Sequence, residues 1–146
     1  MSLADRMVER LDRSVGLYRE LPERCDRDAL GSKLPGLPSN TIGAQLWCVV
    51  GARESYVKSI AAGRWSGFSC SLAEPGHPER VREALTRSEE AAREAVSGLA
   101  EFDATRQDLV VSLLEHEAAH QGQLIRYLYG LRLPIPDGWK RRYALD

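Results

Sequence analysis

Apolar residues recur along the chain in four blocks at helical spacing. In the first, Leu3, Met7, Leu11, Val15 and Tyr18 follow one another at steps of four or three, with Arg and Glu between them. This predicts a helix over residues 3–21, ended by Pro22. In the second, Leu46, Val49, Val50, Val57 and Ile60 form a stripe edged by Trp47 and Tyr56. A helix over residues 41–62 follows, capped by Ser39 or Asn40 and stopped at Gly63. The third runs from Pro78, which suits a first helical turn, to Gly98, with Val81, Leu85, Ala92, Val96 and Leu99 inward. The fourth spans residues 105–131 and puts Leu109, Leu113, His116, His120, Leu124 and Leu128 on one face. The tail from Pro134 is interrupted by proline and starts as non-helical.

No convincing alternating strand separates these blocks, so the chain is predicted to be all-α, a four-helix bundle in one domain over residues 1–146. An up-and-down course with at most one crossover fits the connections. The two long loops, residues 25–40 and 63–77, follow the first and second helices and are long enough to rim a pocket.

Charge narrows the function classes. Twenty Lys and Arg face 21 Asp and Glu, which gives no basic stripe for nucleic acid. No apolar run reaches membrane-spanning length and the charged N-terminus has no apolar signal region, so a cytoplasmic protein without a membrane partner is expected. Cys25, Cys48 and Cys70 are odd in number and widely spaced, and make no disulfide framework.

The chemistry concentrates in the fourth helix. His116 and His120 lie four apart, so their rings point the same way one turn apart and can chelate one ion. The competing reading is a pair of core histidines hydrogen-bonded to polar neighbours. His116-Glu117-Ala118-Ala119-His120 also fits the H-E-x-x-H pattern of zinc proteases, but the context does not. No His or Glu follows His120 to act as third ligand, Gln123 and Arg126 stand where the extended motif needs Gly and His, and no sheet edge is available to align a peptide. Glu117 is rotated about 100° from His116 and is read, with Glu115, as helix surface or indirect support for a ligand. Gln45, near Cys48, is a weak substitute ligand. His77 reads as a helix-start or surface residue, and Cys25 and Cys70 as loop thiols without a role.

The stretch "HEAAHQGQLIRYLYGLRLPIP" resembles the last helix of the DinB-like (DinB/YfiT) metalloprotein family, through His116, His120, Gly122 and Gln123. "TIGAQLWCVVGARESYVKSI" resembles that family's second helix, through Gly43, Trp47, Gly51 and Tyr56. The resemblance implies a four-helix bundle, often a homodimer, with a divalent metal held by three histidines, and thiol-dependent transferase or isomerase activity in some members. The chain departs from the pattern at the third histidine, where Cys48 follows Trp47. A thiolate there would give a Cys48, His116 and His120 site, favouring zinc, with nickel as a second candidate. The alternative for Cys48 is a small buried apolar residue. The function that follows is thiol-dependent transfer to a small electrophile, with a low-molecular-weight thiol as partner and Trp65 and Phe68 walling a site under residues 64–77. The alternative is a non-catalytic or metal-free dimeric binding module that holds a small-molecule ligand.

Overall fold

A computed structural model describes residues 1–146 and contains helices and no strand. The helices are α1 (Leu3–Leu17), α2 (Arg27–Leu30), α3 (Ile42–Ala62), α4 (Pro78–Ser97), α5 (Ala104–Gly130) and α6 (Asp137–Tyr143). The four long ones coincide with the four periodic blocks. Two 3₁₀ turns, Tyr18–Glu20 and Pro22–Arg24, separate α1 from α2, so the first helix stops earlier than residue 21. The caps are local and ordinary. Ser2 and Asp5 form a reciprocal capping box on α1, and Asp103 accepts from the Arg106 amide at the start of α5. Thr41, rather than Ser39 or Asn40, caps α3 by accepting from the Ala44 amide. Gly63 closes α3 in the left-handed conformation, at φ 67°.

The long helices pack as a ring in which α1 and α3 each touch both α4 and α5. The steps from α1 to α3 and from α4 to α5 therefore run across the ring rather than between neighbours, two crossings where the connections suggested at most one. Leu11, Val15, Leu46, Val49, Val50, Leu85, Leu113, Leu124 and Leu128 are buried as their spacing predicts. Leu3, assigned to the same stripe and lying in the first turn of α1, is 73% exposed.

One polar contact joins all four long helices. Arg53 on α3 is fully buried, and its five N–H groups have five acceptors. Nε and Nη2 donate to the two Glu117 carboxylate oxygens on α5 at 2.6 and 3.0 Å. Nη1 donates to the Leu85 carbonyl and the Ser88 hydroxyl on α4, and Nη2 to the Val15 carbonyl on α1. The Tyr18 ring covers the guanidinium at 4.9 Å, and the Tyr18 hydroxyl donates to the Glu117 carbonyl. Glu117, read from sequence as helix surface or indirect support for a ligand, is 0% exposed and so is not surface. A carboxylate one residue after His116 points into the core because the helix turns by about 100° per residue.

The C-terminal tail starts without helix, as its prolines predict, and then forms one. Pro136 precedes a short helix, α6, with acidic Asp137 at its start and Lys140, Arg141 and Arg142 in its last turn. Trp139 on α6 is fully buried, packs edge-on against Tyr18 at 5.5 Å and donates from its indole to the Leu17 carbonyl. Together with Gln121, which donates to the Ser14 carbonyl and hydroxyl, it supplies partners to carbonyls that the end of α1 leaves open.

The buried pair gives a direct test. Glu117→Ala leaves the guanidinium of Arg53 buried without its counter-charge, and denaturant unfolding is expected to register a loss of about 3–5 kcal/mol. The double replacement Arg53→Met with Glu117→Leu is expected to recover most of that loss, since it removes both desolvation costs together.

Candidate metal centre

Cys48, His116 and His120 come together, as the spacing and the resemblance anticipate. One ligand atom from each lies within 4.8 Å of the others. α3 supplies the thiol and α5 both imidazoles, so the cluster bridges two helices that pack side by side. Cys48 and His116 are half-buried and His120 is buried. The two rings sit 4.5 Å apart between centroids, as one helical turn dictates.

The donors suit a divalent ion of zinc type. Bonds of about 2.3 Å to sulfur and about 2.0–2.1 Å to nitrogen at a tetrahedral angle put the two donors about 3.6 Å apart. The Cys48 Sγ to His116 Nε2 distance is 3.6 Å. Three protein donors leave a fourth position for an exogenous ligand, the pattern of reactive rather than structural zinc sites.

The site's electrostatics favour neutral imidazoles. Burial lowers the affinity of His120 for a proton, and the neighbouring His116 lowers it further, to a pKa of about 4. Burial also lowers His116, opposed by the nearby Glu117 carboxylate. Both rings therefore offer lone pairs at neutral pH without first losing a proton. Burial pushes the Cys48 thiol in the opposite direction, above its ordinary value, so the free thiol stays protonated until a cation displaces the proton.

A hydrogen-bond chain orients His120. Its Nδ1 lies 2.5 Å from the Gln45 Oε1, which accepts from Nδ1–H and leaves the Nε2 lone pair for a ligand. The Gln45 amide group in turn donates to Asn40 Oδ1, and the Tyr127 hydroxyl donates to the same oxygen and to the Asn40 carbonyl. Gln45 is thus a partner of a candidate ligand, not a substitute ligand. Periodicity placed Gln45 near the cavity, but nothing in the sequence linked it to Asn40 and Tyr127. The Nδ1 of His116 is buried with no partner, so this ring lacks an equivalent brace.

The loop of residues 63–77 lies on a stripe of small residues along α3. A β-carbon at Gly43 would come within 2.3 Å of the Pro75 carbonyl oxygen, and one at Gly51 within 2.3 Å of the Phe68 ring. Between and beyond them, Ser55 exchanges hydrogen bonds with the Ser69 backbone, and Ser59 accepts from the Ser66 amide. Cys70 donates to the Trp47 carbonyl, which gives that thiol a place in the loop's attachment. Trp47, the residue before Cys48, pairs with Phe68 at 5.3 Å, and the two stay 38% and 47% exposed, with Phe68 seated over Gly51, about one turn further along α3. Trp65 instead packs on Tyr56 at 5.0 Å. That is eight residues, or about 12 Å, along α3 from Cys48, so Phe68 walls the site and Trp65 does not. His77 precedes α4 without capping it through its side chain, and does not join the cluster. Cys25 is buried in the core, where burial raises its pKa to about 11.

No family model, curated protein or solved structure matches the chain.

Two outcomes follow from this geometry. Unfolding of the metal-free chain should become easier as the pH falls from 6.5 towards about 4, because the unfolded state takes up a proton at His120 that the folded state refuses. The stability present above pH 6.5 declines over that window, and His120→Gln should flatten the decline in urea titrations. Gln45→Ala should weaken zinc binding by about 10–100-fold in a competitive chelator assay while the helical circular dichroism is unchanged.

Proposed function

We propose that the chain is a DinB-like four-helix-bundle protein that binds a divalent metal, zinc in the first place, through Cys48, His116 and His120, and uses it in thiol-dependent transfer to a small electrophile. The observation that carries the reading is the meeting of a thiol and two neutral imidazoles from two helices, with the sulfur–nitrogen spacing at 3.6 Å. A bound zinc ion would supply the positive charge that keeps a low-molecular-weight thiol deprotonated at neutral pH.

The chain's own residues do the rest. Cys48, His116 and His120 hold the ion, and Gln45 fixes the His120 tautomer through its contact with Nδ1. The exposed faces of Trp47, next to Cys48 in the chain, and Phe68, over Gly51, give an apolar wall against which a small electrophile can lie and shed water. Glu117 takes no part as a base, because both of its carboxylate oxygens are bound by Arg53 in the core. This separates the site from a zinc protease despite the shared five-residue pattern. A homodimer, as the resemblance implies, belongs to the same proposal.

Elemental analysis of protein purified without added metal is expected to find about one zinc per chain. His120→Ala should abolish it, Cys48→Ser should reduce it, and Cys48→His should retain it. With zinc at about 100 times its dissociation constant, the folded state should gain about 2.7 kcal/mol, read as a rise in the melting midpoint that chelation reverses. A panel of cellular thiols with an alkylating electrophile should then give metal-dependent turnover. Absence of metal from both the parent and Cys48→His would falsify the reading and leave the histidines as packing residues.

A further inference from the structure

On the other side of α5 from His116 and His120, two adjoining hollows share Arg13 and Arg142. The larger, about 630 Å³, lies between the C-terminal half of α1 and α6; the smaller, about 270 Å³, continues along α1 to Ala118 and Gln121 on α5. Six arginines line the two, Arg10, Arg13, Arg19, Arg93, Arg141 and Arg142, against the acids Asp12 and Glu20. The chain as a whole has a formal net charge of −1, so this face concentrates positive charge that the composition conceals.

The arginines are not equivalent. Arg93 pairs with Asp12 and Glu89, and Arg19 with Glu89, so these two are held within the protein. Glu20 is engaged by the Gly138 amide. Arg10, Arg141 and Arg142 have no carboxylate partner, and Arg13 reaches only Glu9, at 3.4 Å on the exposed surface. Arg141 and Arg142 ride on α6, which the buried Trp139 anchors, and Arg142 lies over the Tyr143 ring at 5.3 Å. At the α6 edge of the cleft Gly138 packs close to Glu20, where a β-carbon would collide with the Glu20 carboxylate.

We propose that this cleft binds a small soluble organic phosphate carrying at least two phosphate groups. Guanidinium forks match phosphate oxygens in paired hydrogen bonds, and here the forks without a carboxylate partner come from two elements, Arg10 of α1 and Arg141 and Arg142 of α6, around two adjoining hollows joined at Arg13 and Arg142. Its volume is that of a small-molecule site. An extended nucleic acid is disfavoured, because Asp12 and Glu20 interrupt the positive surface that a regular phosphate backbone would need. The site is independent of the metal reading and stands or falls without it.

Fructose 1,6-bisphosphate, a weak chelator, is the probe, titrated calorimetrically into the intact protein at about 50 and about 200 mM salt. Saturable one-to-one binding is expected, weakened several-fold at the higher salt, with fructose 6-phosphate at least about tenfold weaker. The double variant Arg141→Gln with Arg142→Gln should lose at least about tenfold in affinity with an unchanged melting midpoint in the absence of probe, while Arg64→Gln with Arg87→Gln, exposed arginines elsewhere, should bind as the parent does. The proposal is overturned if the bisphosphate does not bind at about 10 mM, if both double variants lose equally, or if the monophosphate binds as well. It is also overturned if anionic vesicles or single-stranded RNA bind through Arg141 and Arg142 while the bisphosphate does not.

Discussion

The arrangement of the long helices depends on the burial of one charge. A guanidinium taken out of water costs several kcal/mol unless its donors are met and its charge is answered. Arg53 meets both conditions only when α1, α4 and α5 all stand where they do, since each supplies acceptors that α3 cannot provide. Apolar packing is tolerant of small slides and rotations, whereas five directional bonds are not. The network therefore selects one relative placement of helices from the many that would bury the same leucines.

That placement is also what sets the donor cluster. Glu117 and His116 are neighbours on α5, and Arg53 and Cys48 lie little more than one turn apart on α3. The carboxylate and the guanidinium tie the two helices together in the core, and the imidazole and the thiol meet at 3.6 Å on the side facing the loop. The residue that makes the sequence look like a protease thus has a positional task. It fixes the rotation of α5 about its own axis, and so the direction in which both histidines point.

Much of this was legible before any coordinates. The four long helices follow from spacing, and the i, i+4 histidines from the same geometry. Cys48 entered through its position after Trp47 in a stretch resembling a metal-binding helix, which periodicity alone would not have singled out. The Arg53–Glu117 pair was not legible, because a charged residue between apolar ones reads as the solvent face and its partner lies 64 residues away. The tail was under-read for a different reason: prolines marked Pro134 and Pro136 as loop, and a short helix has too few positions to display a period. Its Trp139 finds a buried place only because the α1 terminus offers the Leu17 carbonyl.

The loop over α3 rests on glycines and serine hydroxyls rather than on interlocked leucines. Leu72 is the one side chain between residues 63 and 77 that enters the main core. A segment fastened by a few hydrogen bonds, two half-exposed aromatic pairs and one buried leucine detaches at lower cost than a helix does. The cover is therefore expected to open on a shorter timescale than the helices beneath it. Amides of residues 66–71 should exchange with solvent through that local opening, long before those of α3 beneath them.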